Sequence, residues 1–406
     1  MIIKDVKFYI RQGEPKRRHH SSVGRATIEK VPPGLSGLFT HSAGFRDQSV
    51  IIDAERIADD ALCMEYTDDE KSPTYNATIR LVTDGDTDGY ASFCSGYHLD
   101  EVEWKAKEFK SEIVKLLLGV DVFDREFIWQ RLWYAQRFYY TGRGVIDLVD
   151  RMLWDIASRH ACLPIYKLLG SCRECVPAYR NISGSTVDEL VASAQEVKEL
   201  GFKGCKDHSY RGVQANIELF TELRNVLGGD FLLMHDAVEH YTYSEAVKVG
   251  RALERLNVRW IEEPLQDYDV MGLRKLCATL DLPVMALEWI GYIGGQPFNT
   301  APYLALEATD IARQRGIGIT GQIKQAQLCE AFGVQCHGGS HHVCLAVSND
   351  PLVEAGRNFG PLPEGARLTF QGTSYLEDGY MTMAYGDEPV VEPDWDEVER
   401  EALIVV

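Results

Sequence analysis

The sequence predicts an α/β fold, in which a small α+β domain precedes a closed barrel of parallel strands. After about residue 170, short apolar strands alternate with amphipathic helices, seven or eight times over about 200 residues. Such alternation requires right-handed crossovers between parallel strands, and this number of units is enough to close a barrel. An open doubly wound sheet is the alternative, but no glycine-rich phosphate loop follows the first strand to favour it.

The first 135 residues are predicted to form the small α+β domain. Strand-like segments cover 6–10, 75–84 and 89–96. The turn-rich sequence DGDTDG joins the last two and predicts a hairpin, and from about residue 98 apolar residues recur three and four apart, as in helices. The segment 17–44 is rich in Gly, Ser, His and basic residues and lacks periodicity. A lid and a plain exposed connector are equally compatible with it.

Composition excludes several classes of function. The chain has 406 residues, with 42 Lys and Arg against 61 Asp and Glu, which gives a net charge of −19. Nucleic-acid and anionic-membrane binding both need a basic face, which this balance opposes. No apolar run is long enough to span a membrane, and charges interrupt the start where a signal peptide would be apolar. Ten scattered cysteines fit a reducing compartment, so we expect a cytoplasmic protein.

Three acidic residues occupy equivalent positions at the ends of predicted strands. Asp236 ends FLLMHD, Glu262 ends VRWIE and Glu288 ends PVMALE, with 26 residues from each to the next. Consecutive strand ends of a barrel lie side by side, where three carboxylates would repel each other unless a cation lay between them. Oxygen ligands without cysteine favour Mg²⁺ over zinc. Acidic residues also follow strands as helix caps, but three in phase favour metal binding.

Basic and titratable residues end two further predicted strands. In FKGCKDH, Lys206 and His208 lie two residues apart, so both side chains face the same way. A lysine beside a dication can act as a base or as the charge partner of an anionic intermediate, and histidine titrates near neutral pH. His337 ends VQCHGG on the other side of the carboxylate strands. A substrate between these strands would meet acid–base groups on two faces; a solvated turn is the alternative for Lys206 and His208.

Together these segments resemble the enolase superfamily, and within it the mandelate-racemase-like and acid-sugar-dehydratase branch. The resemblance covers nearly the whole chain and rests on TIRLVTDGDTDGYA, IDLVDRMLWDIASRHACLPIYKLLG, GFKGCKDH, WIEEP and GITGQIKQAQLCEAFGVQCHGG. It implies an N-terminal α+β capping domain at 1–135 and a modified TIM barrel, (β/α)7β, at 136–355. A C-terminal segment, 356–406, would return to the cap.

The resemblance also implies a reaction. Mg²⁺ held by Asp236, Glu262 and Glu288 would bind the substrate carboxylate, and a base would remove the proton alpha to it. The cation would stabilise the enediolate, without which such a proton is very weakly acidic. Glu354, in NDPLVEAGRN, resembles a late acidic residue of the family that hydrogen-bonds the substrate.

Two positions depart from the family pattern. His208 stands where many members carry the second lysine of a Lys-x-Lys pair. The strand that usually bears an aspartate partner for the catalytic histidine reads TDIARQRGIGITG and is about three residues short. Asp310 lies at its start, and Arg313 or Arg315 occupies the neighbourhood of the expected aspartate. His337 is therefore expected to act alone or to be held by another group.

The leading hypothesis is a Mg²⁺-dependent lyase that dehydrates an aldonate or aldarate to a 2-keto-3-deoxy acid. Lys206 and His208 would serve the alpha carbon, and His337 would be the general acid for the departing beta hydroxyl. The alternatives are a racemase, epimerase or cycloisomerase that uses the same two faces, and a catalytically inactive member that binds a sugar acid or serves as a structural partner.

Substrate contacts are predicted from the loops. Arg18 and His20, in the basic segment 17–44, would close over a polyol chain, and Glu354 would hydrogen-bond the substrate. We expect a small carboxylate as substrate, a homo-oligomer, and no nucleic-acid or membrane partner.

Overall fold

The structure is a computed structural model that describes residues 1–16, 71–139, 144–184, 186–288, 290, 298–315 and 317–406. The predicted lid segment, with Arg18 and His20, lies outside the described residues. The strands are β1 (Ile3–Lys16), β2 (Ser72–Thr83), β3 (Gly89–Gly96), β4 (Cys175–Asn181), β5 (Gly204–His208), β6 (Leu232–Asp236), β7 (Ile261–Glu262), β8 (Val284–Ala286), β9 (Ile311–Arg313), β10 (Gln335–His337), β11 (Val353–Ala355), β12 (Thr373–Glu377), β13 (Tyr380–Ala384) and β14 (Ile404–Val405).

The helices alternate with these strands in the second half of the chain. They are α1 (Leu99–Glu112), α2 (Val114–Leu117), α3 (Arg125–Tyr139), α4 (Gly144–Ala161), α5 (Ile165–Leu168), α6 (Val187–Glu199), α7 (Val213–Leu227), α8 (Tyr243–Arg255), α9 (Val270–Cys277), α10 (Thr300–Ala305), α11 (Gly318–Ala331), α12 (His341–Ala346) and α13 (Trp395–Glu401). No helix among the described residues is long and apolar enough to cross a membrane.

The N-terminal domain is built on an antiparallel sheet with the strand order β14-β1-β2-β3. β1 and β2 pair along most of their length, and the predicted hairpin of β2 and β3 is present. Helix α1 covers this sheet with the buried side chains of Val102, Ala106 and Phe109, because its apolar residues lie three and four apart on one face. The late strand β14 pairs with β1, where Ile404 lies opposite Ile10. Two distant parts of the chain therefore share one sheet.

The second half of the chain forms a barrel of parallel strands. Each strand from β4 to β10 pairs in parallel with the next, and β11 pairs in parallel with β4. A helix separates each strand from the next, as the alternating pattern requires. The predicted α/β barrel with an α+β domain is confirmed; the domain boundaries stay a prediction.

The barrel is packed on both sides of its strands. Apolar side chains from the outer faces meet the helices in one large core. The inside is filled by a smaller cluster that contains Tyr179, Met234, Trp260, Met285, Ile311 and Leu352. A filled barrel has no pore, so chemistry is confined to the carboxyl ends of the strands.

One buried arginine joins the α+β domain, the barrel entry and the C-terminal segment. Arg159 on α4 donates to Asp155 on its own helix at 2.9 Å and to Glu392 at 2.5 Å, and it also donates to the carbonyl of Asp88 beside β3. These partners lie far apart in the sequence, so a single guanidinium connects segments that would otherwise pack independently.

Candidate active site

The residues of the site are aligned across neighbouring strands. His208, Asp236 and Glu262 are direct partners in the β5–β6–β7 ladder and each ends its strand. Glu288 follows two residues after β8. Parallel strands in register present their last side chains at one face. The strand-end spacing therefore brings the three predicted acids to the same edge of the barrel.

Lys206 lies among these carboxylates. Its Nζ is 3.1 Å from Asp236 Oδ2, 2.8 Å from Glu262 Oε2 and 3.5 Å from Glu354 Oε2, and its side chain is buried. Burial alone lowers the pKa of Lys206, but the surrounding carboxylates, led by Glu262, outweigh it and hold that pKa well above the ordinary value. In this arrangement the side chain is an ammonium ion.

Arg313 is a second buried cation in the carboxylate cluster. Its Nε lies 2.9 Å from Glu262 Oε1 and 2.6 Å from Glu288 Oε2, and its Nη2 lies 2.8 Å from Glu354 Oε2. Arg315 adds a contact of 2.7 Å to Glu288 Oε1. Arg313 is 2% exposed and Arg315 is 29% exposed, so one arginine lies inside the cluster and the other at its rim.

The chemistry of the donor set suits a hard divalent cation. Asp236, Glu262 and Glu288 offer only oxygen ligands, the kind that Mg²⁺ prefers. Glu262 already shares Lys206 with Asp236 and shares Arg313 with Glu288, so each neighbouring pair of carboxylates contacts one common positive group. The cluster is therefore organised to hold positive charge.

The backbone beside two of these acids adopts an unusual conformation. Glu263, directly after Glu262, has a φ of 44°, and Leu287, directly before Glu288, has a φ of 82°. Residues with a Cβ avoid this left-handed region, and such strain concentrates at functional sites. The fold holds both acids through locally costly backbone geometry.

A second acidic group includes Glu263, the residue that directly follows the proposed ligand Glu262. Among the described residues, Glu239, Glu263 and Asp267 form the group of three whose oxygens come within 4.8 Å of one another. Burial is the main cause that raises the pKa of Glu263 to about 10 and the pKa of Glu239 to about 7. Asp267 accepts hydrogen bonds from the backbone of Leu287 at 2.7 Å. Through this hydrogen bond the group contacts the backbone directly before Glu288.

His337 is buried and both of its ring nitrogens have partners. Nε2 lies 2.7 Å from the Tyr179 hydroxyl, and Nδ1 lies 3.3 Å from Asp350 Oδ1. The Tyr179 hydroxyl also donates to Glu354 Oε2 at 3.3 Å. A continuous hydrogen-bonded chain therefore runs from Asp350 through His337 and Tyr179 to Glu354.

Glu354 contacts both the buried cations Lys206 and Arg313 and the hydrogen-bonded chain that contains His337. Burial raises its pKa, but Lys206 and Arg313 act in the opposite direction more strongly and lower it far below the ordinary value. Asn181 donates to its other oxygen at 2.9 Å. Glu354 is therefore an ionised acceptor that contacts both the Lys206 side and the His337 side.

A cavity of about 600 Å³ opens next to these residues. The ends of β4, β9, β10 and β11 line it, and its charged lining residues are Arg180, Glu196, Arg313, Arg315, Glu354 and Arg357. The arginines make this region positive in a chain that is acidic as a whole. It has the volume and sign for a small anionic molecule.

The structure brings most of the predicted residues together. Lys206, Asp236, Glu262, Glu288 and Glu354 are linked directly or through Arg313, and the Tyr179 hydroxyl joins His337 to them. His208 is more peripheral: its Nε2 lies 3.2 Å from Asp236 Oδ2, and half of its side chain is exposed.

Three contributors were missed from the sequence. They are Tyr179, Asn181 and Asp350. Tyr179 and Asn181 alternate along VPAYRN, the strand that precedes the Lys206 strand, and this period of two was the available signal. Asp350 lies in the turn sequence SNDP, which gives no local indication of a partner on His337.

A filled α/β barrel whose strand ends carry acid–base groups and clustered carboxylates is the architecture of a barrel enzyme. Residues 189–387 match the family described as enolase C-terminal domain-like. An L-talarate/galactarate dehydratase from Salmonella typhimurium is 34% identical over 44% of this chain and 47% of its own. A 3,6-anhydro-alpha-L-galactonate cycloisomerase from Streptomyces coelicolor is 34% identical over 38% of this chain and 45% of its own.

The fold extends the similarity to the whole chain. The structure of D-glucarate dehydratase from Agrobacterium tumefaciens, solved with magnesium, matches with a TM-score of 0.72 and covers 100% of both chains at 24% identity. This chain spans about half the length of the two curated relatives it matches. The barrel region of this chain therefore matches the enolase C-terminal domain-like family. The predicted resemblance to the enolase superfamily and the predicted modified TIM barrel with its capping domain are confirmed.

Proposed function

We propose that this protein is a Mg²⁺-dependent dehydratase of a small sugar acid, an aldonate or an aldarate. The observation that carries the proposal is the convergence on Glu354 Oε2, where Lys206 Nζ arrives at 3.5 Å and the Tyr179 hydroxyl at 3.3 Å. Lys206 is a potential base, and the Tyr179 hydroxyl joins this point to His337 through a hydrogen bond. Dehydration needs these two functions beside one substrate.

The carboxylates beside this point would hold the metal. Asp236, Glu262 and Glu288 are the proposed ligands, and Mg²⁺ would supply the positive charge that makes the proton alpha to a carboxylate acidic. The magnesium in the glucarate dehydratase structure and the name of the talarate/galactarate relative support both the metal and the substrate class.

The chain's own residues would carry out the proton transfers. Lys206, once neutral, would take the alpha proton, and its four carboxylate and phenol neighbours would then hold the ammonium that forms. His337 would protonate the departing beta hydroxyl, with the Tyr179 hydroxyl passing the proton along their 2.7 Å contact. The carbon–oxygen bond breaks and water leaves. The enol that remains tautomerises to the 2-keto-3-deoxy acid.

His208 would assist at the same carbon from the rim. Its Nε2 contacts Asp236, and about half of its side chain is exposed. Glu354 and Asn181 would bind substrate hydroxyls, since an ionised carboxylate accepts and an amide donates hydrogen bonds.

The test is a panel of aldonic and aldaric acids incubated with the protein and Mg²⁺ in D₂O, followed by NMR and by semicarbazide detection of 2-keto acids. We expect one group of acids to yield a 2-keto product. Deuterium at the alpha carbon without loss of water would replace dehydration by racemisation or epimerisation. Binding without any exchange would indicate an inactive sugar-acid-binding protein.

A matched pair of lysine variants makes this test specific. Lys206→Met removes the proposed base and should abolish both product formation and deuterium exchange. Lys203→Met removes a lysine three residues earlier, whose ammonium lies over the ring of Tyr380, and should leave turnover within about two-fold, as expected for a position away from the reacting groups.

A further inference from the structure

Arg313 contacts carboxylate oxygens of two proposed metal ligands. Its Nε contacts Glu262 Oε1 at 2.9 Å and Glu288 Oε2 at 2.6 Å. These acids are two of the three proposed ligands. The contact with Glu288 Oε2 is a hydrogen bond, whereas Glu262 Oε1 is close to the guanidinium without accepting a hydrogen bond. A dication bound to the same two oxygens would lie beside the guanidinium, and the two positive charges would repel each other.

The fold makes room for this arginine. Arg313 ends the short strand β9, where it lies in register with His337 on β10. The next residue, Gly338, has a φ of 85°, and a Cβ there would lie 2.7 Å from Arg313 Nη1. Gln325 also donates to the Arg313 carbonyl at 2.9 Å. The backbone of Arg313 is therefore held in place, and the absence of a Cβ at Gly338 leaves the space that its guanidinium needs beside the carboxylates.

The charge count leads to the same conclusion. Asp236, Glu262, Glu288 and Glu354 carry four negative charges, and Lys206, Arg313 and Arg315 carry three positive charges, which leaves a net charge of −1 for these seven residues. A dication added to this cluster brings its net charge to +1, so the dication and the Arg313 guanidinium repel each other as long as both lie beside Glu262 and Glu288. Buried charge is stable only when it is paired.

We propose that Arg313 is a resident counter-ion of the carboxylate cluster and that a divalent cation binds only by displacing it from Glu262 and Glu288. The inference rests on the proposed metal site and goes beyond it. The displaced guanidinium keeps a partner, because its Nη2 already contacts Glu354 at 2.8 Å and the 600 Å³ cavity borders it. Metal binding therefore turns Arg313 toward the space that the substrate would occupy.

The consequence is a weakened affinity for the metal, which can be measured without turnover. The protein is stripped with a chelator and dialysed. The dissociation constant for Mn²⁺ is then measured by electron paramagnetic resonance and that for Mg²⁺ by calorimetry. We expect Arg313→Gln to bind both ions more tightly than the wild type by on the order of ten-fold, the usual size of coupling between competing ligands.

Arg315→Gln is the matched control, because it removes the same charge from the rim of the cluster and leaves Arg313 in place. We expect it to tighten binding by less than about three-fold, since Arg315 contacts only one of the proposed ligands and is partly solvated. Equal tightening in both variants would overturn the proposal, because net charge alone would then explain the effect.

A third variant covers the case in which Arg313→Gln does not fold. Arg313→Lys keeps the charge but replaces the planar guanidinium, whose Nε and Nη2 contact different carboxylates, with one ammonium nitrogen, so we expect tighter metal binding than in the wild type. Thermal unfolding with and without Mn²⁺ gives a second measurement, in which the metal should raise the melting temperature more in the variants.

Two results separate this inference from the proposed function. If the wild type and both Arg313 variants bind metal equally well, Arg313 is not a competitor and the metal site stands. If none of them binds Mn²⁺ or Mg²⁺, the metal site of the proposed function fails, and the competition fails with it.

Discussion

His337 and Asp350 form a hydrogen-bonded pair, with Nδ1 of the histidine 3.3 Å from Oδ1 of the aspartate. Asp350 is completely buried and lies in the turn before β11, thirteen residues after the histidine. The strand beside His337, β9, carries Arg313 at the matching register position. The acidic partner of His337 is therefore Asp350 from the following turn, because the neighbouring strand β9 carries an arginine at the matching position.

This pair predicts the behaviour of an Asp350→Asn variant. An aspartate on Nδ1 fixes the tautomer and orientation of a catalytic imidazole, and an asparagine favours the wrong tautomer. We expect kcat to fall by about 10²–10⁴-fold, with a smaller change in KM. Steady-state kinetics on the acid identified by the substrate panel checks this.

Asp310→Asn serves as the control for that variant, because Asp310 accepts from the backbone of Val284 at the start of β9, away from the strand ends. Its kcat should stay close to that of the wild type. Full activity in Asp350→Asn, with an unchanged melting temperature, would show that His337 needs no partner.

Glu262 is the most enclosed of the proposed metal ligands and contacts both Lys206 and Arg313. Glu262→Gln keeps the shape but removes the charge, so we expect loss of Mg²⁺ binding and a fall in kcat/KM by about 10²–10⁴-fold. Calorimetry and kinetics measure the two effects. Glu199→Gln, at the exposed end of α6, should change neither, and unchanged metal binding and turnover in Glu262→Gln would remove the metal site from the proposal.

Asp150 makes stability depend on pH. Burial is the main cause that raises its pKa to about 6, and its Oδ2 accepts from the Thr320 backbone at 2.9 Å. Because the pKa is higher in the folded than in the unfolded state, the folded protein binds more protons between about pH 4 and pH 6. The free energy of unfolding therefore falls as the pH rises through that window.

An Asp150→Asn variant should remove this dependence, because an amide oxygen can still accept from Thr320 without ionising. We expect the variant to be more stable than the wild type at pH 7.5 by about 1–3 kcal/mol and nearly equal to it at pH 4. Denaturant unfolding at both pH values checks this. Asp147→Asn, one turn earlier and paired with Arg151, should show no such gain; a variant less stable than the wild type at pH 7.5 would contradict the prediction.

Arg159 should be the most costly single arginine to lose for the packing of the α+β domain. Arg159→Met leaves Asp155 and Glu392 without their buried partner, and we expect a loss of about 3–5 kcal/mol in the free energy of unfolding. Arg151→Met on the same helix breaks a pair that is largely solvated and should cost less than about 1 kcal/mol. Equal losses would mean that the buried network adds nothing beyond helix charge.

The strand-end acids could be predicted from the sequence because the residues directly before each acid already identify the strand that it ends. Asp236, Glu262 and Glu288 each follow a short apolar strand, and strand–helix units of equal length put them in phase. Parallel pairing then requires that they meet. The same reasoning found His337, which ends β10, and Lys206, which lies two residues before the end of β5.

The remaining contacts depend on tertiary packing that no local pattern encodes. Tyr179 belongs to an apolar strand and resembles a core residue until the barrel closes and β11 brings Glu354 beside it. Asp350 is indistinguishable from a turn residue before the fold places it on His337. Arg313 was found as an unexpected basic residue, but its direction into the carboxylates depends on the space at Gly338.

The pairing of β14 with β1 also bears on the order in which the chain can fold. Tyr9 and Ile10 meet Val405 and Ile404, and the whole barrel is synthesised between them. A contact of such long sequence separation forms late. One edge of β1 therefore stays unpaired while the ribosome synthesises the barrel. An open strand edge can pair with another chain, so nascent molecules of this protein stay exposed to aggregation at β1 until β14 has been synthesised.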